Sequence, residues 1–279
     1  NDDPAELRNW NDTAPQVSVG MAGAPGHQAA ALGPDGKLNA DPDTSKRGSY
    51  KGFPTMGGFD QMTARLGGFW DSMLGEGRRW WITANSDSHR NWREGGKDFW
   101  PGEYSKTYVW AKHTPEDIID GLRNGRIFVT LGDLISQLEV TASNGNNSAN
   151  IGGALPVNAG SDVEVTIRFL DPDTMNSGNR NPSVARVDLI VGQVTGPVSD
   201  RTTDTNPTTK VLARFNEKDW KKEGAWRVIT YRLENVEANS YLRVRGTSTA
   251  EMEPTEDVPG EDPFSDLWFY SNPIFLEID

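Results

Sequence analysis

From about residue 135 to its end, the chain carries short apolar runs in which apolar and polar residues alternate. In the runs 163–169 and 187–191 every second residue is apolar, and further short apolar runs follow at 226–233, 242–244 and 274–278. Successive side chains of a strand point to opposite faces, so this period predicts strands with one buried face. Loops rich in Asn, Gly, Pro and Thr separate the runs. The pattern predicts an antiparallel β-sandwich domain over residues 135–279.

Residues 1–134 follow a different pattern, in which strand and helix signals alternate. Apolar runs at 80–84, 107–111 and 126–130 are typical of buried strands. Between the last two, Thr114 and Pro115 have the residue types favoured at the N-cap and first position of a helix. Strand, helix and strand in close succession predict a βαβ unit and an α/β fold. We therefore predict a domain boundary near residue 135.

Two further elements are expected in this first part of the chain. Apolar residues spaced by three and four over 59–73 predict a helix that ends near Gly75, although Gly67 and Gly68 weaken it. The short run 17–21 predicts a strand that opens into a glycine-rich loop. The remainder of residues 1–58 has the composition of loops.

The charge balance excludes some classes of partner. With 28 Lys and Arg against 40 Asp and Glu, the formal charge is −12, which disfavours binding to nucleic acid or to an anionic membrane. No apolar stretch approaches the roughly 20 residues that cross a bilayer, so no membrane insertion is expected. The sequence has no cysteine and therefore no disulfide or thiolate ligand. The acidic, Asn- and Thr-rich surface predicts a periplasmic or extracellular protein.

Asp87 and His89 form the clearest candidate for a metal site. They lie two residues apart, directly after the predicted strand 80–84. In an extended segment such a pair shares one face, so a carboxylate and an imidazole can converge on one metal ion. Strand ends of this kind hold the ligands of (β/α) barrels. The alternative is a capped turn in which Asp87 accepts from backbone amides and His89 is solvated.

The other two histidines, His27 and His113, have weaker signals. His27 lies in a Gly-Ala-Pro-Gly-His-Gln loop, where glycines allow a close backbone approach to a metal or phosphate. An exposed loop histidine explains the same residue equally simply. His113 directly precedes the predicted N-cap Thr114, and a structural role suffices for it.

Acid-rich loops and aromatic residues offer further hypotheses. The two Asp-Pro-Asp segments, 41–43 and 171–173, do not continue into the EF-hand pattern and are interpreted as solvated turns. The motifs of phosphate-binding loops, serine hydrolases and zincins are absent from the sequence. Trp92, Phe99 and Trp100 are candidates to line a pocket beside Asp87, although aromatic residues more often belong to a core.

Four ordered segments together resemble the end of a known domain. Residues 85–89, 108–111, 114–119 and 125–130 read NSDSH, YVWA, TPEDII and GRIFVT. This series resembles the carboxy-terminal part of PHP (polymerase and histidinol phosphatase) domains, a family of metal-dependent phosphoesterases. The tail WFYSNPI at 268–274 is similar to the closing strand of some large members.

The resemblance implies a distorted (β/α)7 barrel that binds two or three divalent metal ions, commonly zinc, manganese or iron. Asp87 and His89 match the last metal motif of the family, and His27 is the candidate for an earlier single-histidine motif. The implied activity is hydrolysis of a small phosphorylated substrate by metal-activated water. Arg90 would contact the substrate phosphate, unless it forms an exposed salt bridge.

The sequence departs from the family in one respect, because it contains no H-x-H motif. We therefore expect residues 1–134 to be the C-terminal portion of a PHP-like barrel, which an upstream segment or a second chain completes. Two alternatives stay open. One is a non-catalytic extracellular binding or assembly module with a degenerate PHP-like barrel, and the other is a hydrolase of the same metal chemistry that acts on a non-phosphate bond.

Overall fold

The computed structural model describes residues 3–26, 50–88, 99–258 and 261–279. The described part is mainly β, with 39% strand and 14% helix. Its helices are α1 (Pro4–Thr13), α2 (Gln61–Ala64), α3 (Phe69–Gly75) and α4 (Pro115–Arg123), with a 3-10 turn at Tyr50–Gly52. In the ranges described, no helix has the length and apolar character that crossing a membrane requires.

Within the described ranges, fifteen strands form three sheets. The strands are β1 (Gly20–Pro25), β2 (Trp81–Asn85), β3 (Ser105–Val109), β4 (Ile127–Leu131), β5 (Gln137–Ser143), β6 (Ser148–Asn150), β7 (Ala154–Val157), β8 (Ser161–Leu170), β9 (Arg186–Gln193), β10 (Lys210–Asn216), β11 (Lys221–Glu223), β12 (Trp226–Val236), β13 (Ser240–Thr247), β14 (Trp268–Ser271) and β15 (Ile274–Ile278). β1 and β2 make a two-stranded sheet, and a five-stranded sheet has the order β11-β12-β8-β5-β6. The eight-stranded sheet has the order β10-β9-β13-β14-β4-β3. In addition, β15 pairs with β13, and β7 pairs with β15.

Helix α4 begins where the sequence predicts. Thr114 is its N-cap and accepts a hydrogen bond from the backbone N–H of Asp117, and Pro115 follows at the first position. Helix α1, which the sequence analysis missed, begins in the same way: Asp3 accepts from Ala5 N–H at 2.8 Å and Pro4 opens the helix. Both starts use a side-chain acceptor and a residue without a backbone donor, which satisfies the free amides of a first turn.

The helix predicted over 59–75 is divided into α2 and α3. Gly67 has a φ of +71°, a left-handed conformation that cannot continue a helix. Its N–H donates to the Asp71 carboxylate at 2.7 Å, so the break is held by the first turn of α3. The two glycines therefore outweigh the apolar spacing at this point.

The predicted (β/α)7 PHP-type barrel is wrong. A barrel of that kind needs parallel strands that are each followed by a helix covering the sheet. Here β3 and β4 pair antiparallel, with Val109 opposite Ile127, so α4 lies on a connection between antiparallel neighbours and not on a βαβ crossover. The helix is also poorly buried, since Ile119 is 48% exposed. The chain is a mainly β protein with several sheets, not an α/β barrel with a β domain.

The eight-stranded sheet contains strands from both sides of residue 135. Thr130 of β4 pairs with Phe269 of β14, which joins the β3–β4 pair to strands from the end of the chain. Hydrogen bonding therefore continues across the predicted domain boundary. A division into folding units at residue 135 stays a prediction.

The inner faces of the two larger sheets share one apolar core. Along β8, Val163, Val165, Ile167 and Phe169 are all fully buried, while the residues between them are not. The Phe169 ring lies 6.4 Å from the ring of Phe269 on the eight-stranded sheet. The alternating pattern of the sequence thus marks the side chains that face the other sheet.

Candidate functional site

Strands β1 and β2 run parallel and end together. Pro25 is the register partner of Asn85, so the chain leaves both strands at the same edge of the two-stranded sheet. We call residues 25–26 and 85–88 the parallel edge. In open α/β sheets, ligands bind beyond the carboxyl ends of the parallel strands, and this short parallel pair has an edge of the same kind.

Side chains hold β2 on the side opposite β1. Thr107 Oγ1 accepts from Ala84 N–H at 2.8 Å and donates to Ala84 O at 2.6 Å. Asn272 Oδ1 accepts from Ile82 N–H at 2.9 Å, and Asn272 Nδ2 donates to Ile82 O at 3.2 Å. These side chains satisfy backbone groups that a third strand would otherwise pair. They fix the position of β2 against the eight-stranded sheet.

Gly26 brings the ends of the two strands into contact. A Cβ atom at this position would lie 2.5 Å from Ser105 Oγ and 3.0 Å from the carbonyl oxygen of Asn85. Ser105 Oγ itself donates to that carbonyl at 2.6 Å. Only a residue without a side chain allows this approach. The close contact fixes the distance between the two chain segments that leave the parallel edge.

Asp87 has an uncommon backbone conformation. Its φ is +47°, a value that residues with a Cβ rarely adopt, and Asp87 is exposed. Aspartate is one of the few residue types that tolerate the left-handed region, at a cost of about 1–2 kcal/mol. Strained backbone of this kind is concentrated at functional sites. The structure therefore places an exposed carboxylate on a sharp turn, directly beyond the carboxyl end of β2.

The other predicted site residues of this region lie outside the described residues. They are His27, His89 and Arg90, together with Asp41, Asp43 and Trp92. Their roles stay predictions. In β3, Ser105 and Thr107 contact β2, whereas Lys106 between them lies on the opposite face and forms an ion pair with Asp133.

Three further sequence hypotheses are resolved by the structure. His113 is exposed and directly precedes the N-cap of α4. Phe99 is buried and stacks on Tyr104 at 4.5 Å between ring centroids, so it belongs to the core, whereas Trp100 is 52% exposed. In the 171–173 segment, Asp173 is exposed and accepts from Asn181 Nδ2, whereas Asp171 is half-buried and accepts from Val184 N–H at 3.0 Å.

A second group of acidic residues was not identified from the sequence. Asp257, Glu261 and Asp266 each offer a carboxylate oxygen, and these oxygens lie within 4.8 Å of one another. We call these three residues the acidic cluster. Asp257 and Asp266 are buried and Glu261 is half-buried. In the part of the chain that the structure describes, this is the single group of three potential ligands that could hold a metal ion.

The hydrogen bonds of the acidic cluster come from two distant parts of the chain. Thr55 Oγ1 donates to Asp257 Oδ2 at 2.6 Å, and Gly58 N–H donates to the same oxygen at 3.0 Å. Val258 N–H donates to Glu261 Oε2 at 2.8 Å. Asp266 differs, because its Oδ2 is buried with no hydrogen-bond partner among the described residues.

Burial and mutual repulsion disfavour the charged forms of these carboxyl groups. The pKa of Asp266 is raised to about 8, mainly by burial and in part by the neighbouring carboxylates of Asp257 and Glu261. Burial also raises the pKa of Asp257 to about 6, although the hydrogen bonds from Thr55 and Gly58 oppose the change. A positive ion between the three groups would oppose both effects, because it stabilises the charged carboxylates.

The donor atoms of the acidic cluster limit which ions fit. All three are carboxylate oxygens, which hard cations such as calcium, magnesium and manganese prefer. Sequence reasoning missed the cluster because its ligands have no EF-hand spacing. The available signal was the density of acids at 251–266, which resembles that of many solvated loops.

Comparison with known proteins gives no assignment. No protein-family profile matches the chain. No curated protein matches it either.

Proposed function

We propose that the chain is part of a metal-dependent hydrolase of phosphate esters, whose site lies beyond the parallel edge. The observation that supports it most is the register of β1 and β2, in which Pro25 pairs with Asn85. The sequence continues from these paired positions into the two motifs that suggested a metal site, the single histidine His27 and the Asp87-x-His89 pair. Two adjacent parallel strands thus lead into both candidate ligand segments.

The proposed ligands suit the ions that the sequence predicts. Asp87, His27 and His89 offer one carboxylate and two imidazoles, a set that binds zinc, manganese or iron. The parallel edge itself contributes one acidic side chain, Asp87, in an exposed position that an ion and a substrate can both reach. We propose two or three such ions, with the remaining ligands supplied from outside the parallel edge.

The roles of the chain's own residues follow from their chemistry. When bound, divalent ions lower the pKa of coordinated water to near neutrality and offset the negative charge of the phosphoryl oxygens. Asp87 holds an ion on a turn that Gly26 and Ser105 fix in place. Arg90 supplies positive charge for the phosphate. The net charge of −12 does not oppose this proposal, because charges close to the site dominate it.

Replacement of the Asp87 carboxylate tests the proposal. Asp87→Asn should reduce hydrolysis of p-nitrophenyl phosphate or bis-p-nitrophenyl phosphate about a hundredfold and lower the bound metal, because it removes a ligand charge without changing the shape. The matched control is Asp120→Asn, at an exposed carboxylate of α4 that pairs with Arg126. Activity is measured with manganese or zinc present, and metal content by mass spectrometry.

Three outcomes would contradict the proposal. Equal activity in the two variants would exclude Asp87 as a ligand. Stoichiometric metal without turnover of either ester would favour the hydrolysis of another kind of bond. A metal-free protein without activity would favour the non-catalytic binding module.

A further inference from the structure

We propose that the acidic cluster is a calcium site that fastens the connection between β13 and β14 to residues 55–58. Its ligands are Asp257, Glu261 and Asp266, whose carboxylate oxygens lie within 4.8 Å of one another. The site shares no residue with the parallel edge. A test of this calcium site is therefore independent of a test of the proposed hydrolase activity.

Asp266 is the residue that indicates a ligand. Asp266 is only 7% exposed, and its Oδ2 lacks a hydrogen-bond partner in the described ranges. Buried polar atoms nearly always have a partner, and an isolated buried carboxylate is strongly unfavourable. A carboxylate oxygen of Asp266 lies within 4.8 Å of oxygens of two other carboxyl groups, which are acceptors like itself when ionised. A cation supplies the missing partner for all three.

The burial of the cluster favours calcium over other cations. Calcium accepts six to eight oxygen ligands in flexible geometry, including carboxylates and loop carbonyls. Magnesium retains several water molecules and needs near-octahedral geometry, which a largely buried group of side chains does not provide. Zinc prefers histidine and cysteine ligands, and the cluster contains neither.

The cation would stabilise a long connection of irregular structure. Residues 248–267 join β13 to β14 and include no named helix or strand in their described part. Connections of this length are uncommon unless they are functional or held by additional contacts. Residues 55–58 contact this connection through Asp257 N–H, which donates to Thr55 O at 2.8 Å, and Gly57 N–H, which donates to Thr255 O at 3.1 Å. All three ligands lie in the connection, so an ion there would join Glu261 and Asp266 to Asp257, the residue that contacts residues 55–58.

Thermal unfolding of the wild-type protein gives the first test. Protein freed of metal with EDTA and dialysed should show a Tm rise of about 5 °C or more when calcium is added to a hundredfold above its Kd. An equal concentration of magnesium should produce a much smaller rise. A calorimetric titration with calcium chloride should give one ion bound per chain. No calcium-dependent rise, or an equal rise with magnesium, would overturn the assignment.

Two matched variants locate the ion. Asp266→Asn should unfold no earlier than wild type in EDTA, since a neutral amide replaces a carboxyl group whose charged form burial disfavours, and it should lose the calcium-dependent rise. Asp173→Asn, at an exposed aspartate of the 171–173 turn, should keep the full rise. Glu261→Gln, at the half-buried ligand, tests the same loss if Asp266→Asn does not fold. A full calcium response in both ligand variants would overturn the proposal.

Limited proteolysis tests whether the ion holds the 248–267 connection in place. The connection contains glutamates at 251, 253, 256 and 261 and no Lys or Arg. Glutamyl endopeptidase should therefore cleave it faster in EDTA than in calcium, whereas trypsin should not cut within it under either condition. Equal cleavage by glutamyl endopeptidase with and without calcium would show that the ion does not fasten this connection.

Discussion

The parallel edge and the acidic cluster both present carboxylates, but they are assembled in different ways. The parallel edge consists of residues that directly follow two strands, and Asp87 there is exposed. The acidic cluster depends on contacts between distant segments, since Thr55 and the Asp257 that it binds are 202 residues apart. Its carboxylates are largely buried.

This difference separates two uses of a carboxylate. An exposed carboxylate on a strained turn can hold an ion that a substrate also reaches, which a hydrolase requires. Buried carboxylates without substrate access can hold an ion that stabilises the surrounding loops. The comparison therefore predicts that changes at the parallel edge alter activity, and that changes at the acidic cluster alter calcium-dependent stability.

The largest effect is expected from His89→Ala. If His89 is a ligand beside Asp87, loss of its imidazole should reduce phosphatase activity about a hundredfold and lower the bound metal. His113→Ala is the matched control, because His113 is exposed before α4 and should affect neither quantity. The calcium-dependent rise in Tm should be the same in both variants. Equal loss of activity in both would show that the site is misassigned.

A smaller effect on activity is expected from Gly26→Ala. The added methyl group would lie 2.5 Å from Ser105 Oγ and 3.0 Å from the Asn85 carbonyl, so the ends of β1 and β2 must move apart. A displacement of this kind should reduce kcat about tenfold, because the ligand segments no longer meet correctly.

Gly145→Ala provides the comparison for this substitution. Gly145 has a φ of +86° and no neighbour within 4 Å of an added Cβ, so the change should cost about 1 kcal/mol of stability and leave kcat unchanged. Wild-type kcat in Gly26→Ala would show that the close approach of the two strands does not position the site.

Local signals in the sequence predicted individual elements well. Thr114 and Pro115 marked the start of α4, and the apolar run at 80–84 marked β2, because capping and short buried runs depend on neighbouring residues alone. The same kind of signal, Asp3 followed by Pro4, was present at α1 and was overlooked. The outcome at 59–75 shows that one left-handed glycine, Gly67, overrides apolar spacing.

Strand pairing could not be predicted in the same way. The strand-helix-strand order around α4 favoured a parallel crossover, yet β3 and β4 pair antiparallel and continue into β14. Which strands become neighbours depends on the packing of the whole chain, which a local pattern does not contain. The acidic cluster was missed for the same reason, because its burial depends on contacts with residues 55–58.

The smallest effect is expected from Thr55→Val, which tests whether the acidic cluster depends on that long-range contact. The change removes the 2.6 Å hydrogen bond to Asp257 Oδ2 and keeps the side-chain volume, so it should cost about 1–2 kcal/mol of stability and weaken calcium binding several-fold. Thr209→Val, which removes a 2.7 Å bond to Tyr241 in another part of the core, should lower stability similarly without changing calcium affinity. Calorimetric titration with calcium compares the two variants. Equal calcium affinities in the two variants would mean that the 248–267 connection alone positions the ligands of the acidic cluster. The acidic cluster would then differ from the parallel edge in its burial and not in its long-range assembly.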